Sequence, residues 1–156
     1  MSVNDTIVPG KWTIDIAPYI KSGDSNHLVL DGSFPNEGYS RLALNSEHID
    51  VFTNHYYDRD PPTSNVSSKD VVQPQYKEWT YQGRLKGDVE LVSGYGKAFH
   101  VGEFGMGLVD DNRLKDVFDQ VVMNSNISGA MIWSLRFHSR DGGFCMSTYT
   151  LSTLKF

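Results

Sequence analysis

The chain carries one cysteine, Cys145, and no run of basic residues. A lone cysteine excludes an internal disulfide framework and any multi-cysteine metal site, and it reads as a small buried filler. Fourteen Lys and Arg against nineteen Asp and Glu leave a net charge of −5. Without a cationic patch, neither nucleic acid nor an anionic membrane is an expected partner. Long apolar runs are missing too. No segment approaches the ~20 residues of a membrane span, and the first residues lack the apolar core of a secretory leader. Repeats and low-complexity stretches are absent. What remains is 156 residues with 39% apolar and 21% charged content, the composition of one ordinary globular domain.

Spacing supplies the elements. Trp12, Ile16, Tyr19 and Ile20 fall at i, i+4, i+7 and i+8, one helix face, with Pro18 expected to kink or shorten the helix. The β-rich run His27 to Leu30 ends at Asp31-Gly32, a turn signal. His48 to Tyr57 is a longer strand, followed by the polar loop "DRDPPTSNVSSKD". Leu85, Val89 and Val92 predict a helix over 84–92, weakened by Gly87. Ala98 to Val101 is a third strand. Leu114, Val117, Phe118, Val121 and Val122 mark the cleanest helix, with Asp110 or Asp111 as N-cap, and Ala130 to Leu135 is a fourth strand. Apolar strands alternating with amphipathic helices predict an α/β protein with a parallel sheet.

Ligands of parallel α/β sheets gather at the carboxyl ends of the strands. Those ends carry Asp31, His55 with Tyr57, Glu103, and Trp133. His55 and Tyr57 lie two apart, so a strand points both to one face. A carboxylate, an imidazole, a phenol and an indole on one rim suit sugar chemistry, because the indole offers a flat apolar face to a pyranose ring. Each also has a plainer reading as a structural residue. Glu103 in particular, flanked by glycines, reads equally as a solvated turn residue beyond the end of its strand.

Four blocks, "YIKSGDSNHLVLDGS", "IDVFTNHYY", "KAFHVGEFG" and "GAMIWSLRFHSRDGGF", resemble in order and spacing the second half of glycoside hydrolase family 5, in its endo-β-mannanase-like flavour. The resemblance runs from about Trp12 to Phe144. It implies strands five to eight of a (β/α)8 TIM barrel and retaining hydrolysis of β-1,4-linked polysaccharide, mannan or glucan, without a cofactor. Glu103 corresponds to the nucleophile, and His55 and Tyr57 to the His-x-Tyr beside it. Trp133 corresponds to the floor of the cleavage subsite, and His138, Arg140 and Asp141 to a substrate-side loop. The resemblance also implies a secreted enzyme. Three N-x-S/T sequons, at Asn4, Asn65 and Asn126, point to the same compartment.

The departures are equally specific. The family's acid/base Glu follows its fourth strand, ahead of every block found here. Asn36-Glu37 occurs after the fifth strand and does not match that position. After Phe144 the residues "CMSTYTLSTLKF" look unrelated to the family. The expected organisation is therefore a partial barrel over 1–144 and a divergent tail over 145–156, inactive alone. A non-catalytic sugar-binding or assembly half-barrel is the alternative. Half a barrel leaves two sheet edges open. Val51, Phe99, Val101 and Met131 are expected to lose partners, and the chain to self-associate or aggregate.

Overall fold

A computed structural model describes residues 7–35, 38–57, 69–78, 80–105 and 118–132. The element order is α1 (Ile7–Gly23), β1 (Leu30–Asp31), β2 (Tyr39–Ser40), α2 (Arg41–Leu44), β3 (Val51–Tyr57), β4 (Val71–Val72), α3 (Tyr81–Gly94), β5 (Ala98–Gly105) and β6 (Ile127–Ile132). Residues 118–123, ahead of β6, are helical as well. Strands β1, β3, β5 and β6 form one sheet in that order, every pair parallel. The α/β class with a parallel sheet therefore holds. The order never reverses, so right-handed crossovers place the connecting helices on one face.

That face is the core. α3 packs across β3 and β5, and Phe52, Tyr56, Phe99, Val101 and Phe104 are buried with Leu85, Val89 and Val92. Thr80 caps α3 by accepting from Gly83 N–H at 3.0 Å. Gly83 and Gly87 stay inside the helix because a Cβ on Gly83 would lie 2.4 Å from Glu78 O, and one on Gly87 2.7 Å from the Tyr76 ring. α3 is thus longer than the 84–92 expected from its apolar spacing.

Several expectations give way to packing. α1 continues through Pro18 to Gly23. Its apolar stripe does not face the core, for Trp12 is 64% and Tyr19 75% exposed while Thr13 and Ala17 are buried. Small residues let α1 sit close to α2: a Cβ on Gly10 would come within 2.5 Å of Ser40 Oγ. Phe99 and Val101 are fully buried beneath α3, and Val51 is also buried, so these three keep partners. Met131 is exposed as expected. The β2–β4 antiparallel pair, joining Tyr39 to Val72, has no counterpart in the sequence reading, because two-residue strands carry no periodicity.

Two charged networks lock the layers. Asp50, just ahead of β3, accepts from Val29 N–H at 2.7 Å and pairs with Lys21 of α1 at 2.8 Å. Lys97 caps the carbonyls of Ser46 and Ile49 at 2.6 and 2.7 Å. Between α3 and β3, the buried Asp88 accepts from Asn54 Nδ2 (2.9 Å), Tyr56 Oη (2.5 Å) and Tyr76 Oη (2.9 Å). Burial raises the Asp88 carboxyl above the ordinary range, although those three donors and Arg84 pull it down.

Candidate active site

The sheet has two faces, and alternation assigns them. Asn54 and Tyr56 reach Asp88 on the helix side, so Thr53, His55 and Tyr57 point to the other, open face. On β5, Val101 pairs with Asn54 and belongs to the helix side. Strict alternation would then send Glu103 to the helix side as well. It does not, because the register slips by one residue: Val101 pairs with Asn54 but Glu103 pairs with His55. Gly102 is the extra residue of a β-bulge, and it turns Glu103 onto the open face and Phe104 into the core. β5 runs to Gly105, so Glu103 lies within a strand and not in a turn beyond it.

At the carboxyl ends of β3 and β5 the geometry is compact. Tyr57 Oη donates to Glu103 Oε2 in a short hydrogen bond, and His55 Nδ1 lies 3.5 Å from the same oxygen. The side chains of His55 and Glu103 are 17% and 27% exposed, half-sheltered yet reachable. Gly102 makes this possible in a second way, since a Cβ there would sit 3.0 Å from Thr53 Cβ and 3.1 Å from His55 Cδ2. From behind, Arg84 donates to the His55 carbonyl at 3.2 Å and stacks over Tyr56 at 5.4 Å.

Phe34 was not singled out by the sequence reading. It stacks on the His55 ring with centroids 5.0 Å apart and planes at 15°. Its segment is tied down locally: Asp31 Oδ1 accepts from Ser33 N–H at 3.1 Å, and Thr53 Oγ1 lies 2.9 Å from Ser33 O and 3.1 Å from Asp31 O. An aromatic three residues past a strand end was the available signal. Asp31 serves this turn and is not aimed at Glu103.

Of the expected site residues, His55, Tyr57 and Glu103 are brought together. Trp133, His138, Arg140 and Asp141 lie outside the described residues, as do Asn36 and Glu37. Among the described residues no group of three or more His, Cys, Asp or Glu could hold a metal ion, and no helix is long and apolar enough to cross a membrane. A carboxylate oriented by a phenol and an imidazole can act as a nucleophile or a base toward a ligand on the open face.

No protein-family model matches the chain, and no curated protein does. Solved structures share the fold. The endo-1,4-β-mannanase of Rhizomucor miehei aligns with a TM-score of 0.63 at 23% identity, over 95% of this chain and 44% of its own. A hyperthermostable endo-1,4-β-D-mannanase from Thermotoga petrophila gives 0.55 at 21%, over 88% and 46%. A glycoside hydrolase family 5 mannosidase from Rhizomucor miehei gives 0.59 at 20%, over 81% and 36%. The chain spans less than half the length of these structures. The family 5 resemblance carried by the four blocks is thus matched by a resemblance in fold.

Proposed function

We propose that the chain is the carboxyl-terminal half, strands five to eight, of a (β/α)8 barrel that hydrolyses β-1,4-linked glycans with retention, Glu103 being the nucleophile. The pairing of Glu103 with His55 across adjacent parallel strands, with Tyr57 Oη on the same carboxylate oxygen, carries this reading. The unreversed strand order supports the barrel. Glu103 attacks the anomeric carbon, the bond to the leaving sugar oxygen breaks, and an ester between sugar and Glu103 forms for water to hydrolyse. Tyr57 and His55 hold the carboxylate in its rotamer for that attack. Trp133, His138 and Arg140 complete the sugar contacts, in a secreted protein whose barrel portion covers 1–144 and whose tail covers 145–156.

A second carboxyl about 5 Å away must protonate the leaving oxygen. The resemblance assigns that group to a strand with no counterpart among these four, so polysaccharide turnover by this chain alone is not expected. An activated substrate removes the need for it. Incubation with a dinitrophenyl β-mannoside or β-glucoside fluorinated at the second ring carbon should leave one fluorosugar on the peptide containing Glu103. Glu103→Gln should abolish that mass adduct. Absence of labelling, together with manno-oligosaccharide binding that survives Glu103→Ala, would replace the hydrolase reading with that of a sugar-binding half-barrel.

A further inference from the structure

We infer that Phe34 is a positioning residue of the candidate site: stacked on the His55 imidazole, it fixes the plane of that ring and so keeps Nδ1 on the Glu103 carboxylate. The two rings lie 5.0 Å apart, centroid to centroid, with their planes at 15°.

The imidazole needs such a support. Its outer side-chain torsion joins an sp3 carbon to an sp2 ring, and torsions of that kind are broad. The His55 backbone is already held, since its N–H donates to Asn54 Oδ1 at 2.8 Å and its carbonyl accepts from Arg84 at 3.2 Å. Neither bond restrains rotation of the ring. Nδ1 lies 3.5 Å from Glu103 Oε2, at the outer limit of a hydrogen bond, so that contact is too weak to set the plane by itself. A flat ring lying parallel to the imidazole does set it, because turning either ring breaks the face-to-face contact. Two orientations half a turn apart share one plane, and the neighbours choose between them. The Cδ2–Nε2 edge lies against Gly102, where an added Cβ would approach to 3.1 and 3.2 Å, which leaves Nδ1 toward Glu103.

Phe34 is itself anchored by the strand that carries His55. Thr53, two residues earlier and on the same open face, sets Oγ1 2.9 Å from Ser33 O and 3.1 Å from Asp31 O. β3 thus fixes both the turn that bears the phenyl ring and the imidazole the ring covers. Phe34 is outside the buried core cluster and 37% exposed, so its stacking serves the site more than the core. The consequence for chemistry rests on the proposed role of Glu103; the contact itself does not.

Two measurements on the full chain keep these apart. The first is the nitrogen NMR resonance of His55 Nδ1 at fixed pH. Glu103→Gln should move it in the parent and leave it unmoved in a Phe34→Leu background, where the ring has lost its plane. The second is labelling by the fluorinated dinitrophenyl glycoside. Phe34→Leu should lower the limiting labelling rate at least about 10-fold with little change in the half-saturating glycoside concentration, because misaligned groups lose attack geometry. Phe34→Tyr keeps the flat face and should restore both readouts. Both variants should keep the parent's circular dichroism. If the parent is not labelled but the Nδ1 response is present and disappears in Phe34→Leu, the glycosidase reading falls and the inference stands. An Nδ1 response absent from the parent, or equal in Phe34→Leu, would overturn the inference. So would equal labelling rates, loss of fold in Phe34→Leu, or a Phe34→Tyr variant that behaves like Phe34→Leu.

Discussion

Gly102 is the residue on which the candidate site turns. It supplies the bulge that brings Glu103 to the open face, and its missing Cβ leaves room for the His55 ring. Gly102→Ala should therefore cost about 1–2 kcal/mol in urea unfolding, the range for a small overpacking strain. It should also slow labelling of Glu103 by the activated fluoroglycoside at least about 10-fold, because displaced groups lose attack geometry. Equal labelling rates would mean that His55 does not depend on that gap. Tyr39 tells a different story, since its buried hydroxyl lies near the Asp88 carboxylate but makes no hydrogen bond of ordinary geometry among the described residues. Tyr39→Phe should be neutral or slightly stabilising in the same unfolding assay, because it removes a desolvated group and keeps the ring.

Between elements, the polar networks decide which layers hold together. Asp88→Ala strips one acceptor from Asn54, Tyr56 and Tyr76 at once and should cost about 3–5 kcal/mol, whereas Tyr76→Phe should cost about 1 kcal/mol. Similar losses from both variants would show that Asp88 is not the hub. Asp50 makes the stability pH-dependent. Burial alone would raise its carboxyl, but Lys21, the Val29 N–H and Lys97 outweigh burial and hold it below the ordinary value of 3.8. A depressed carboxyl contributes stability that is complete above the unfolded value and is lost as pH falls through the folded one. Denaturant midpoints should thus decline below about pH 4, and Asp50→Asn should flatten that limb while costing about 1–2 kcal/mol at neutral pH. An unchanged acid limb in the variant would assign the decline to other groups.

For the whole molecule, the outer side of α1 stands exposed, with Trp12 and Tyr19 clear of the core. Replacing Trp12 and Tyr19 together by serine should leave the fold intact in dilute solution, within about 0.5 kcal/mol, since neither side chain is buried. If the double variant melted lower at every concentration, the outer face of α1 would be packing within its own chain.

The four strands, α3 and the residue types of the site were legible in the sequence, because apolar periodicity and strand-end chemistry are local properties. The boundaries were less so, as β5 extends past Val101 and β6 begins at Ile127. Phe34 and the Asp88 network were not legible, since Phe34 meets a ring 21 positions away and Asp88 gathers donors 12, 32 and 34 positions away. The side of the sheet on which Glu103 falls was undecidable from alternation, which assigns it to the buried face with Val101. A one-residue slip against β3 reverses that assignment, and such a slip exists only where two strands meet. The same holds for α1: its spacing determined an apolar stripe, but only packing against α2 decided that the stripe faces outward, because the close approach at Gly10 selects the small-residue side.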